Sequence, residues 1–149
     1  MTEYKTYKKK KYKIKYPKNW VVKEGSYDVD VIFLAPTPPF ASNVNVNTVD
    51  LPPSEKVYTI DEYMEAGIQN MKNVITKADN FIVRKGEISQ REARQVTFSG
   101  EQGKYKLKFL QVMVLNEQKL HVITYTAEDS QFHESLDITT DMIDSFEIP

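Results

Sequence analysis

YKLKFLQVMVLN, residues 105–116, is apolar in both phases of a two-residue alternation. On an extended strand Leu110, Val112 and Val114 face one way, and Phe109, Met113 and Leu115 face the other. A strand with two apolar faces sits centrally in a sheet that is covered on both sides.

The flanking segments supply the rest of that sheet. Leu120 to Ala127 is the next strand, reached through an Asn116-Glu117-Gln118 turn, and Phe81 to Ile88 and Ala93 to Ser99 come before it. Ser99-Gly100-Glu101-Gln102-Gly103 is expected to turn the chain into residue 105. Upstream, Thr59-Ile60-Asp61-Glu62 has the form of a capping box. Ile60, Tyr63, Met64, Ile68, Met71, Val74 and Ile75 then fall on one helical stripe, which predicts a helix at about 60–76.

Four strands precede that helix. Lys10 to Tyr16 alternates tyrosine or isoleucine with lysine, and Pro17 is expected to break it. Trp20 to Lys23, Val29 to Leu34 and Asn43 to Val49 follow. Pro36, Pro38 and Pro39 mark a loop, and Leu51-Pro52-Pro53-Ser54 ends the fourth strand. At the other end, Asp129 can cap a last helix bearing Phe132, Leu136, Ile143 and Phe146. The order ββββ-α-ββββ-α with short links implies antiparallel pairing. The expected class is α+β, an α/β/α sandwich with a central, largely antiparallel sheet of about 6–8 strands covered by two helices. Trp20, Phe33, Ile68, Met113 and Phe146 are its expected core.

Composition narrows the function. The chain has 149 residues, enough for one domain with its own core. It has no cysteine, so disulfides, thiolate catalysis and cysteine-ligated metal are excluded. No apolar run approaches the ~18–20 residues that span a bilayer, and no apolar stretch follows Met1. The expected setting is the cytoplasm, or an extracytoplasmic lipid-anchored domain if a leader has been removed. Residues 1–18 carry a net charge of +7 and residues 19–149 carry −8. That asymmetry suggests a basic N-terminal arm, residues 1–9, on an acidic domain, residues 10–149.

Candidate chemistry is sparse. His121 is expected on a strand and His133 on the last helix, without the spacing of a metal pair. The five glycines form no phosphate loop, nucleophile elbow or dinucleotide fingerprint. Carboxylate pairs such as Glu128/Asp129 and Asp141/Asp144 read as solvated helix faces. No metal, cofactor or turnover is expected. The conspicuous feature is the run Lys8, Lys9, Lys10 and Lys11, interleaved with tyrosines on either side. Its functional reading is a weak contact with an anionic membrane surface; its structural reading is a lysine-guarded edge strand with a frayed arm. Nucleic acid is not expected as the partner. Phe40, at the tip of the proline loop, either anchors a protein partner or folds back on the sheet. Asn43, Asn45 and Asn47 present amides on one strand face, which reads as solvated.

Several of these segments together resemble the PsbP-like family. They are Tyr12-Lys13-Ile14-Lys15-Tyr16-Pro17-Lys18-Asn19-Trp20, Val31-Ile32-Phe33, Asn45-Val46-Asn47, Thr59-Ile60-Asp61-Glu62-Tyr63, Ile123-Thr124-Tyr125-Thr126-Ala127 and Ser145-Phe146. The resemblance runs from about residue 7 to the end. It implies an antiparallel sheet between helices, a fold shared with a Ran-binding nuclear-import factor. It also implies a bacterial or archaeal type of protein that often follows a lipoprotein leader and has no assigned activity. The family often has glycine where this chain has Gln90, before Arg91-Glu92-Ala93, and the long N-terminal extension of the plant subunit is missing. No photosynthetic role is carried over. The expected function is a non-enzymatic binding or assembly module with an unknown protein partner. The alternative is a small hydrolase or ligand-processing enzyme with an unrecognised site.

Overall fold

In the computed structural model, which describes residues 2–53 and 58–149, the 105–116 stretch is a strand along its whole length. The elements in chain order are β1 (Tyr4–Lys8), β2 (Lys13–Pro17), β3 (Val21–Glu24), β4 (Val31–Leu34), β5 (Asn43–Asp50) and α1 (Ile60–Val74). They continue with β6 (Thr76–Ile88), β7 (Arg91–Gln102), β8 (Tyr105–Asn116), β9 (Lys119–Glu128), a 3₁₀ turn at Asp129–Gln131 and α2 (Leu136–Asp144). Seven strands form one antiparallel sheet in the order β3-β4-β5-β9-β8-β7-β6, and β1 and β2 form a separate pair. The α1 crossover carries the chain from β5 to the far edge. β6 to β9 then meander back until β9 pairs with β5, Val46 opposite Ile123.

The two phases of β8 define two cores. Leu110, Val112 and Val114 join Val44, Val46, Ile123 and Tyr125 under α2 and the β1–β2 pair. Phe109 and Met113 join Val96, Phe98 and Leu107 under α1. Trp20, Phe33 and Phe146 are buried on the α2 side, and Ile68 and Met113 on the α1 side, so all five are core as expected, although Phe146 lies beyond the end of α2 and not on its stripe.

On α1 the capping box forms. The Glu62 amide donates to Thr59 Oγ1 (3.1 Å) and the Thr59 amide donates to Glu62 Oε1 (3.0 Å). Ile60, Met64 and Ile68 are buried beneath it. Val74, expected on the same stripe, is 66% exposed. It ends the helix, and the chain turns there into β6 rather than continuing over the sheet. Arg94, 3% exposed, reaches up from β7 and forks onto Asp61 in the first turn (Nε–Oδ1 2.6 Å, Nη2–Oδ2 3.3 Å), tying the helix start to the sheet. That hydrogen bond holds the Asp61 carboxyl below its usual range.

Several turns differ from their sequence reading. Gly100 lies inside β7, not in a turn, and the position takes glycine because a Cβ there would come within 2.4 Å of the Ile75 side chain. The reversal is Gly103-Lys104, with Gly103 at φ 57°. Asp129 starts the 3₁₀ turn rather than α2, whose cap position is Ser135 with no side-chain bond, so His133 lies in the turn between them. Pro17 ends β2 as its last residue. Residues 10–12 are not strand, because the chain reverses there to lay β1 beside β2. Of the Leu51–Ser54 break, Ser54 lies outside the described residues.

Candidate functional site

The lysine run falls on the β1–β2 hairpin. Tyr4 lies opposite Pro17, Thr6 opposite Lys15, Tyr7 opposite Ile14 and Lys8 opposite Lys13, and the Lys9 amide donates to the Tyr12 carbonyl (2.9 Å) across the reversal. Residues 4–8 are therefore a paired strand. The spacing Tyr4-x-x-Tyr7 has no two-residue alternation, so only the pairing partner reveals it.

Aromatic rings clamp this hairpin to the sheet. Tyr16 stacks on Phe33 (centroids 5.0 Å) and Tyr7 meets the same ring edge-on (5.7 Å). Tyr12 stacks on Phe146 (5.1 Å) and lies edge-on to His121 (6.0 Å). Burial pushes the Tyr12 phenol well above its usual range, and burial with Glu24 nearby pushes Tyr7 up to about 12. The C-terminal segment pins the other edge. Lys13 and Glu147 exchange both backbone hydrogen bonds at 2.9 Å, and the Lys15 amide donates to Ser145 Oγ (2.9 Å). The Ser-Phe segment thus forms a junction with β2 just before Pro17, and beyond it the chain turns through the Trp20 amide donating to the Pro17 carbonyl (3.0 Å).

His121 lies under this junction, fully buried. Its Nδ1 shares a 2.8 Å hydrogen bond with Thr48 Oγ1, and its Nε2 has no partner among the described residues. Burial first, then Lys119, Lys11 and Arg91, lower its pKa to about 4; Asp30 opposes them. The ring is neutral at pH 7 and serves as packing.

All eight lysines from Lys5 to Lys18 are exposed. Four have acidic neighbours: Lys9 with Glu24 (3.2 Å), Lys11 with Asp50 (3.9 Å), Lys13 with Glu147 (3.4 Å) and Lys18 with Glu3 (3.6 Å). Lys5, Lys8, Lys10 and Lys15 have no ion-pair partner among the described residues. An open groove of approximately 730 Å³ runs along β2, walled by Lys13, Lys15, Arg91, Asp144 and Glu147. A second, of approximately 270 Å³, lies beside Lys8, Lys9 and Lys10 and shares Lys13 and Glu147 with the first. The walls carry both signs of charge, and among the described residues no group of His, Asp and Glu converges to hold a metal.

Phe40 is not part of this surface. It is half-buried on the α1 face, its ring 5.5 Å from that of Tyr105. Thr37 Oγ1 holds the loop, donating to the Phe40 carbonyl (3.0 Å) and accepting from the Ser42 amide (2.8 Å). The asparagines are half-buried on that same face, with Asn45 opposite Thr124 of β9.

The chain superposes on solved structures over nearly its full length. Cyanobacterial PsbP (CyanoP) from Synechocystis sp. PCC 6803 matches with a TM-score of 0.76 at 16% identity, covering 100% of this chain and 94% of that one. Protein PA94 from Pseudomonas aeruginosa matches at 0.68 and 12% identity, covering 99% and 97%. LpqN, involved in cell envelope biogenesis of Mycobacterium tuberculosis, matches at 0.66 and 10%, covering 99% and 91%. At these identities the likeness is one of fold. No curated protein sequence matches the chain. The sequence model for PsbP-like protein matches residues 1–148, and the chain belongs to the PsbP-like family.

Proposed function

We propose that this chain is a non-enzymatic binding and assembly module whose β1–β2 hairpin docks on an anionic surface, a membrane first of all. One observation carries the reading: Lys8 lies directly opposite Lys13 on the outer face of the hairpin, and Lys15 follows two residues along. Like charges directly opposite across a strand pair destabilise it. Lys13 is offset by Glu147, whereas Lys8 has no counter-charge among the described residues. An anionic surface would supply it, at up to ~1 kcal/mol per lysine held near the headgroups. The aromatic clamp fixes these lysines on a platform rather than on a loose tail, so less conformational entropy is lost on docking.

Co-sedimentation with vesicles tests this. Wild type should pellet with phosphatidylglycerol vesicles and not with phosphatidylcholine, and added salt should weaken the binding because exposed charges are screened over roughly 8–10 Å. Replacing Lys8, Lys9, Lys10 and Lys11 by Ser should remove most of the binding without unfolding the protein, since all four are exposed. Equal partitioning of wild type and variant to both vesicle types would discard the membrane role.

A further inference from the structure

The two edges of the seven-stranded sheet are unequal. β3 has four residues, whereas β6 has thirteen. From Ile82 to Ile88 the pairing of β6 with β7 is regular, and residues 82–87 are all exposed, with Ile82 at 52% and Val83 at 46%. No described residue hydrogen-bonds to the backbone of 82–88 from the outer side. Such an edge is a template for another strand unless it is guarded. Arg84 and Lys85 would guard it, were Glu87 not two residues away.

We propose that β6 is a self-association seam, in which two copies pair antiparallel about a two-fold axis through Gly86 and continue the sheet. The axis must stand perpendicular to the sheet, so each face stays a face and residues pair symmetrically about one residue. An axis at Arg84, Lys85 or Glu87 sets like charges on themselves. An axis at Val83 sets Glu87 against Asp79. An axis at Ile82 needs residues 79–81 in register, where the β6 ladder shifts and Asn80 sits at φ 61°. An axis at Gly86 sets Lys85 opposite Glu87 twice, on the α1 face, and puts the residue without a side chain where the chains cross. A Cβ at Gly86 meets nothing within 4 Å in the single chain, so the position is open to a partner. This seam lies at the opposite end of the sheet from β3 and does not depend on the basic hairpin.

The absence of cysteine makes the test direct. Residues directly opposite in an antiparallel pair have Cα atoms ~4.5–5.5 Å apart, within the roughly 4.4–6.8 Å range of a disulfide. Gly86→Cys should therefore oxidise to a covalent dimer much faster than Lys104→Cys, an exposed thiol at another turn. In sedimentation equilibrium, Lys85→Glu or Glu87→Lys should each weaken association about tenfold, through two cross-strand pairs made repulsive. The double exchange Lys85→Glu/Glu87→Lys should restore it. Cross-linking at position 86 no faster than at 104 would overturn the proposal. So would a double exchange that associates no better than either single variant.

Discussion

The two faces of the sheet are covered in different ways. On the α1 face one helix of 15 residues suffices, and the buried cluster there holds eight described residues, two of them, Met64 and Ile68, from the helix itself. That helix starts at its own capping box, a local signal, and a single side chain from the sheet, Arg94, ties its first turn down. On the other face α2 has only nine residues, yet the buried cluster holds twenty-one described residues. The β1–β2 hairpin supplies the missing cover, with Tyr12 and Ile14 buried and Tyr7 and Tyr16 packed against Phe33. The difference teaches that the lysine-rich start of the chain is half of a core lid. Its basic face is the outside of a structural element.

The largest effects should come from that lid. Trp20→Ala, at an 8% exposed site on the hairpin side, is expected to cost roughly 3–5 kcal/mol in denaturant titration. Met64→Ala, under α1, should cost less, toward the low end of about 2–5 kcal/mol, because methionine leaves the smaller cavity. A Trp20 loss under about 1 kcal/mol, or one smaller than that of Met64, would break the comparison.

A pH experiment sharpens it on the hairpin side alone. His121 has an unfolded pKa near 6.5 and a folded one of about 4, so between those values the unfolded chain binds the extra proton. Its contribution to stability is full above about pH 6.5, falls as pH drops toward 4, and falls no further below that. The loss is on the order of 3–4 kcal/mol by the relation of ~1.4 kcal/mol per pKa unit. Asp50 and Asp61 also have lowered pKa values and add acid sensitivity of their own, so the quantity to measure is wild type minus His121→Asn. An identical pH dependence in the two proteins would remove His121 from the account. The smallest effect is on the α1 side. Thr59→Ala should cost about 1 kcal/mol, as the loss of an N-cap does. A larger loss would mean that the cap positions more than its own helix.

The sequence by itself determined the two-faced central strand, the capped helix, the strand order from β6 to β9 and the buried positions of Trp20, Phe33 and Phe146. Each is a periodic or local pattern, written over neighbouring residues. It also marked the lysine run. Tertiary structure alone decided how that run is held, because the register of β1 on β2 and the bonds from Ser145 and Glu147 join residues up to 134 positions apart only after folding. It decided that Phe40 belongs to the α1 face, away from the lysines, and that Val74 leaves its stripe. It also shows that position 90 suits glycine: the two-residue β6–β7 turn holds Ser89 and Gln90 at φ 54° and 63°, a region glycine enters without strain. Periodicity records which side of an element is apolar. Which element covers it depends on pairings between distant segments, and those leave no pattern in either segment alone.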